Sequence, residues 1–194
     1  MRLLPIFLVN LWLCFLPPAA ADGLVEPPID LTQFRFARVE YRSIGGWGQA
    51  YYSFEGRTWE RWETDFPQAE QNFGRRLAEL TRVVTAREPV RRELTAEDLG
   101  DFPILFMSDV GYMDFSEEET DALAAYLANG GFVWVDDFWG DAEWASFERF
   151  MRKVLPSSRW RALPTSHEIF HTVFDMNEMP QIPARTFARG YMGE

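Results

Sequence analysis

Two hydrophobic rhythms alternate along this chain from Phe34 onward. Phe34 to Tyr41 (FRFARVEY) alternates apolar and polar positions, the period of a half-buried strand. Asp65 and then Pro67 open a segment in which Phe66, Ala69, Phe73, Leu77 and Leu80 recur at helical spacing, which predicts an amphipathic helix. A short strand is expected over Arg82–Thr85 and a buried one over Ile104–Ser108, an apolar run that follows Pro103. Ser116 and Glu119 form a capping box for a helix to about Ala128, which stops at Asn129-Gly130-Gly131. Phe132 to Asp136 reads as the next strand and Trp144 to Val154 as the next helix. Strands alternating with helices predict an α/β fold with a mainly parallel sheet covered on both faces.

Composition narrows the picture without changing it. The 194 residues suit about one domain, and 47% hydrophobic residues, with 8 Trp and 17 Phe, are ample for a core. A formal charge of -11, from 30 acidic against 19 basic residues, argues against nucleic acid or an anionic membrane surface as partner. The first 21 residues, MRLLPIFLVNLWLCFLPPAAA, set Arg2 before an apolar run, a Pro17-Pro18 break and the small residues Ala19 to Ala21. That order is a secretory signal peptide, with cleavage expected after Ala21. The run from Leu3 to Leu16 is interrupted by Asn10 and falls short of the roughly 20 residues that span a bilayer. Bulky Trp12 and Leu13 before Cys14 exclude a lipid-attachment site, so no stable membrane insertion is expected after cleavage. The expected organisation is a signal peptide over 1–21, a linker over 22–33 with Pro27-Pro28, and a single domain over 34–194. The product would be periplasmic or secreted. Cys14 is the sole cysteine and leaves with the signal, so the mature chain has no thiol nucleophile.

The eleven residues from Gly130, GGFVWVDDFWG, put two acids at the end of a strand. In an open parallel sheet, ligands bind outside the carboxyl ends of the strands. Alternation puts Phe132, Trp134 and Asp136 on one side and Val133, Val135 and Asp137 on the other, so the two acids are not expected to chelate one ion together. One acid is expected in the crevice and the other in a cap that accepts backbone N–H bonds; a wholly structural role for both is the alternative. Asp137, beside Trp139 and Gly140, is the residue expected in the crevice.

Two further stretches carry candidate chemistry. Between Ser43 and Trp62, Gly45, Gly46, Gly48 and Gly56 are interleaved with Trp47, Tyr51, Tyr52, Phe54 and Trp59, which reads as a loop with aromatics for a ligand or partner, or as a lid with its own small core. His167-Glu168-Ile169-Phe170-His171 matches H-E-x-x-H, the zinc-binding helix motif of metallopeptidases. Pro164, Pro180 and Pro183 surround it, and a third ligand would have to come from Asp175, Glu178 or Glu194, so no metal is expected.

Several of these segments together resemble one family. Phe36–Tyr41, the run from Trp62 to Phe73 (W-x-x-D-F-P-x-A-x-x-N-F), Ile104–Met107 before Gly111, GGFVWVDDFWG, and HEIFHTVF followed by Pro180–Pro183 resemble the bacterial domain of unknown function family DUF4159. The resemblance implies a class I glutamine amidotransferase-like fold, a flavodoxin-like three-layer sandwich, and no particular activity. The strand after the double glycine is similar to the one that carries the cysteine nucleophile of amidotransferases, where this chain has Asp136, Asp137 and Phe138. Without a thiol, glutamine hydrolysis by that route is excluded. Relatives generally have Pro where this chain has Glu168, which weakens the zinc reading further. Trp62, Asp65 and Asn72 match the family motif, Asp65 as an expected N-cap and Asn72 as a residue expected to tie down the loop. The family domain is also expected to run one or two strands past Glu194. Its usual company, membrane-anchored proteins that accompany chaperone-like ATPases, implies a cell-envelope complex.

Two classes of function follow. One is a non-catalytic module that binds a small polar ligand or a cell-envelope protein, with no cofactor. The other is a hydrolase that uses Asp136 or Asp137 with His167; a zinc metallopeptidase through HEIFH is the remaining alternative.

Overall fold

Phe36, Phe106 and Trp134 pack against one another with ring centres 5.8, 6.4 and 5.0 Å apart, an aromatic cluster carried on or just before neighbouring strands of one sheet. The computed structural model describes residue 30 and residues 32–178. The expected signal peptide, most of the linker, the Pro180–Pro183 segment and the C-terminal residues lie outside the described residues. β1 (Ala37–Val39), β4 (Val90–Arg92), β5 (Ile104–Ser108) and β6 (Phe132–Asp136) form a parallel sheet in the order β4-β1-β5-β6. By chain order its strands run second, first, third, fourth, the doubly wound flavodoxin-like arrangement, so the α/β sandwich is present as expected.

Two layers cover the sheet. α1 (Gln68–Leu80) sets Phe73 edge-on to Phe36 at 5.4 Å and against Trp134 at 5.3 Å. α2 (Glu117–Ala128) contacts the chain around β5 and β6 through Tyr126, whose hydroxyl donates to Phe102 O at 3.0 Å. α3 (Gly140–Val154) packs beside α2, and its Phe150 stacks on Phe115 at 4.7 Å. The capping box of α2 forms as read from sequence, with the Glu119 N–H donating to Ser116 Oγ and the Ser116 N–H to Glu119 Oε2.

Several boundaries differ from the sequence reading, each for a local reason. The first strand is shorter than Phe34–Tyr41. Phe34 forms only an isolated bridge to Thr85, and the expected strand at Arg82–Thr85 is reduced to that bridge. The link from Thr85 to Val90 is longer than that from Phe34 to Ala37, and it contains Pro89, which has no N–H to give to a ladder. Pairing resumes as β4, whose Val90-Arg91-Arg92 sequence has the charged character of an edge strand and little hydrophobic signal. β6 is also an edge strand among the described residues, with Phe132 exposed.

The stretch read as a loop after β1 is an antiparallel hairpin, β2 (Tyr51–Phe54) with β3 (Arg57–Glu60). Glu55 and Gly56 join the strands with φ of 51° and 76°. Positive φ at both central residues is the type I′ turn, whose twist matches that of the strands it joins. Trp47 is 68% and Phe54 58% exposed, so these two do not fold into a lid core, whereas Trp59 is half-buried under Arg57.

Asp65 is not a side-chain N-cap. It has a left-handed φ of 59°, Pro67 occupies the cap of α1, and Asp65 contributes only its carbonyl, which accepts the Ala69 N–H at 2.8 Å. Asn72 accepts from Arg75 one turn along its own exposed helix face at 3.1 Å and does not tie the loop down.

Candidate functional site

Strand order directs attention away from β6. In a doubly wound sheet the ligand crevice opens where the chain direction of winding reverses, here between β1 and β5. Tyr41, just beyond β1, spans this point: its hydroxyl lies 2.5 Å from Ser108 O and 2.9 Å from Asp109 O. Burial pushes the Tyr41 hydroxyl well above the usual tyrosine range, and the Asp109 charge adds to it.

Asp109, the first residue past β5, is the electrostatic centre of this edge. Its left-handed backbone, with φ of 56°, turns the chain so that its N–H donates to Asp136 O at 3.0 Å. Its carboxylate accepts from Arg61 Nη1 at 2.7 Å and from Thr64 Oγ1 at 3.3 Å. Burial raises its pKa from 3.8 to about 6; Arg61 opposes the rise, and the charges of Asp137 and Glu143 reinforce it. Arg61 also donates to Gly48 O and Gln49 O and lies between the rings of Tyr52 and Tyr112. One guanidinium therefore joins the hairpin to the carboxyl edge of the sheet.

A second arginine holds this assembly from below. Arg38, in the middle of β1, is fully buried. Its Nε donates to Glu70 of α1 at 2.7 Å, and its Nη1 donates to Trp62 O at 2.8 Å and Thr64 O at 2.7 Å. Its guanidinium lies 4.5 Å from the centre of the Phe106 ring. The short helical turn Arg61–Glu63 is thus fixed to the sheet by Arg38 and presents Arg61 and Thr64 to Asp109.

The acids expected at the site occupy different places. Asp136 ends β6 exposed, and its carboxylate accepts the N–H of Asp137 at 2.8 Å. Asp137 has left the strand, with φ of 56°, so alternation no longer applies to it. It is half-buried, faces Asp109 electrostatically and accepts the Trp139 indole N–H at 2.9 Å. The Trp139 backbone N–H goes to Glu143 Oε2 at 2.7 Å, which starts α3 four residues earlier than its hydrophobic pattern suggests. Gly111 is tied to this acid: a Cβ on Gly111 would lie 2.4 Å from Glu143 Cγ.

The other candidates lie elsewhere. Trp62 is buried, with its indole N–H on Glu60 and its ring against Phe66 at 5.8 Å, and it supports the site from within the core. HEIFH is not an α-helix. Glu168–His171 forms a 3-10 turn capped by His167, whose Nδ1 accepts the Ile169 N–H at 3.2 Å. Both ring nitrogens of His171 are engaged, by Asp175 at 3.0 Å and Thr165 O at 2.9 Å. Among the described residues no group of three or more His, Cys, Asp or Glu could hold a metal ion.

Beside the Tyr41–Asp109 junction a crevice of about 410 Å³ opens. Its wall comprises Glu40, Tyr41 and Ser43 after β1, Glu93 and Thr95 after β4, Tyr51 and Glu60 of the hairpin, and Ser116 and Glu119 at the head of α2. Asp137, His167 and Trp62 are not in that wall. The volume falls within the roughly 300 to 1,000 Å³ of small-molecule sites. The sequence signal for this edge is Ser108-Asp109-Val110-Gly111, which puts an acid directly after a buried strand and two residues before Gly111.

The chain matches the domain of unknown function family DUF4159 over residues 35–192 and belongs to it. No curated protein matches the chain. No helix among the described residues is long and apolar enough to cross a membrane.

Proposed function

We propose that this member of the DUF4159 family is a non-catalytic binding module of the cell envelope, exported by its N-terminal leader, whose crevice takes a small polar ligand or a segment of an envelope protein. The observation that carries the proposal is the contrast at the carboxyl edge. The carboxylates of Asp109, Asp137 and Glu143 are held by Arg61, the Trp139 indole and the Trp139 backbone, while the crevice beside them is open. Groups already bonded within the chain are poor candidates for proton transfer to a substrate, whereas an open, polar cleft next to the winding reversal suits recognition. A screen of polar metabolites and short peptides by thermal unfolding is expected to give stabilising hits in the wild type that disappear when Glu93 is changed to Trp to fill the crevice. Hits that survive this change would overturn the proposed site. Protein from the native host is expected to begin near Asp22; a mature chain starting at Met1 would remove the export part.

A hydrolase reading draws on the Asp109 carboxyl, pushed up to about 6 opposite Asp137 and Glu143. A carboxyl whose pKa is raised by burial can serve as the general acid of a hydrolase. His167 gives this reading no support, since its hydrogen bonds are local. Turnover of ester, amide or glycoside substrates that is lost in Asp109→Asn would favour it over binding alone.

A further inference from the structure

The two outer strands of the sheet are guarded unequally. β4 has the protections usual at an edge, with Pro89 before it and the charges of Arg91 and Arg92 within it. β6 has none of these between Phe132 and Val135, an apolar run of the kind found in strands with a neighbour on either side. Its backbone shows which groups are left over. The Phe132 N–H donates to Pro103 O at 3.3 Å, and Asp136 O accepts the Asp109 N–H at 3.0 Å. In the parallel register with β5, Phe132, Trp134 and Asp136 therefore turn their N–H and C=O groups toward β5, and alternation turns those of Val133 and Val135 outward. Among the described residues no hydrogen bond reaches Val133 or Val135 from that outer side. Both are half-buried, so these groups form a ready template for another strand.

The β6 sequence is self-complementary in one antiparallel register. With Trp134 on a two-fold axis, Val133 of one copy lies opposite Val135 of the other, and each such pair exchanges both backbone bonds, which uses all the outward groups. A register centred on Val133 would set Gly131 opposite Val135, and the Gly131 N–H is already given to Tyr126 O. One centred on Val135 would set Asp137 opposite Val133 and draw the acids of both copies together. The Trp134 ring packs inward on Phe36, Phe73 and Phe106, which leaves the edge open to approach. In the register centred on Trp134, exposed Phe132 faces Asp136 of the other copy, and the acidic ends of the two strands lie apart.

We infer that β6 is a homodimer interface, in which the β6 strands of two copies pair antiparallel across Trp134 and join the two sheets into one. The inference does not draw on the crevice and stands apart from the binding-module reading.

Sedimentation equilibrium of the full chain over a concentration series tests it. A monomer–dimer equilibrium is expected. Phe132 is exposed, so changing it leaves the fold in place. Phe132→Lys is expected to dimerise about tenfold more tightly than Phe132→Glu, because the new charge meets Asp136 of the other copy and each cross-strand contact occurs twice. Val135→Pro removes an outward N–H that β5 does not use and is expected to abolish the dimer, with thermal unfolding as the check that the variant is folded. The Phe132 variants carry the test if that one does not fold. A monomer at every concentration, with the edge free or taken by another segment or another protein, would overturn the inference. So would equal dimer affinities in Phe132→Lys and Phe132→Glu, or a dimer unaffected by Val135→Pro in folded protein.

Discussion

Arg38 and Arg61 are each held by one carboxylate, but they lie on opposite sides of the boundary between core and crevice. Arg38 projects from a central strand into the α1 layer, with Glu70, two backbone carbonyls and the Phe106 ring around it. Arg61 lies at the rim, partly exposed, and bridges Asp109 to the carbonyls of Gly48 and Gln49. The first pair has no access to water, so removing one partner leaves a charge stranded in the core. In the second pair Arg61 keeps some exposure while Asp109 is buried, and that burial brings the acid's pKa up to about 6, within a mild pH range. One arginine organises the scaffold, and the other joins a mobile charge state to the hairpin that walls the crevice.

The comparison breaks most visibly at Arg38. Arg38→Met leaves Glu70 buried and unpaired and is expected to cost about 3 to 5 kcal/mol in urea unfolding. Replacing both partners, Arg38→Met with Glu70→Leu, is expected to recover most of that loss. A single substitution that costs no more than a surface change would mean the buried pair is not what fixes the Arg61–Glu63 turn.

At the rim the expected effect is a pH dependence. The Asp109 carboxyl has a folded pKa of about 6 against an ordinary 3.8. The folded chain therefore holds this proton more tightly than the unfolded chain does. The resulting stability is fully present below about pH 4 and is lost as pH rises through about 6. Relative to Asp109→Asn, the wild type should lose about 3 kcal/mol across that window. Parallel stability curves for the two proteins between those limits would contradict it. Asp137→Asn sharpens the test, because removing one of the charges that raises the Asp109 pKa should lower it, as read by carboxyl NMR titration.

The smallest expected effect is steric. Gly111→Ala would push a methyl into the Glu143 side chain, 2.4 Å from Cγ, and disturb the acceptor of the Trp139 N–H. A loss of about 1 to 3 kcal/mol is expected in thermal unfolding, and an unchanged midpoint would show that Glu143 moves aside freely.

Much of the scaffold was legible from residue order. β5 is a continuous apolar run, as a strand buried on both faces must be, and α2 carries its start and stop in Ser116, Glu119 and Gly130. β4 and the hairpin were not legible for opposite reasons. Arg91 and Arg92 hide an edge strand, whose charge answers solvent and whose pairing is mostly a backbone matter. The glycine-rich stretch around Glu55-Gly56 reads as a loop, because the positive φ that makes it a tight turn is not visible in composition.

What the sequence determined by itself is local: the α/β alternation, the capping of α2, the buried β5 strand and the acids at the strand ends. Each depends on neighbours a few residues apart, where side-chain period and backbone preference act directly. The choice of Asp109 over Asp136 as the electrostatic centre was decided only in three dimensions. Its pKa comes from burial, from Arg61 48 residues away in the chain and from the facing Asp137 and Glu143. The same is true of Arg38, which reads as a polar position in an alternating strand and becomes a buried cation only because α1 brings Glu70 over the sheet. Charge burial and winding order are properties of packed layers, and a linear pattern carries no record of which layer will cover a given side chain.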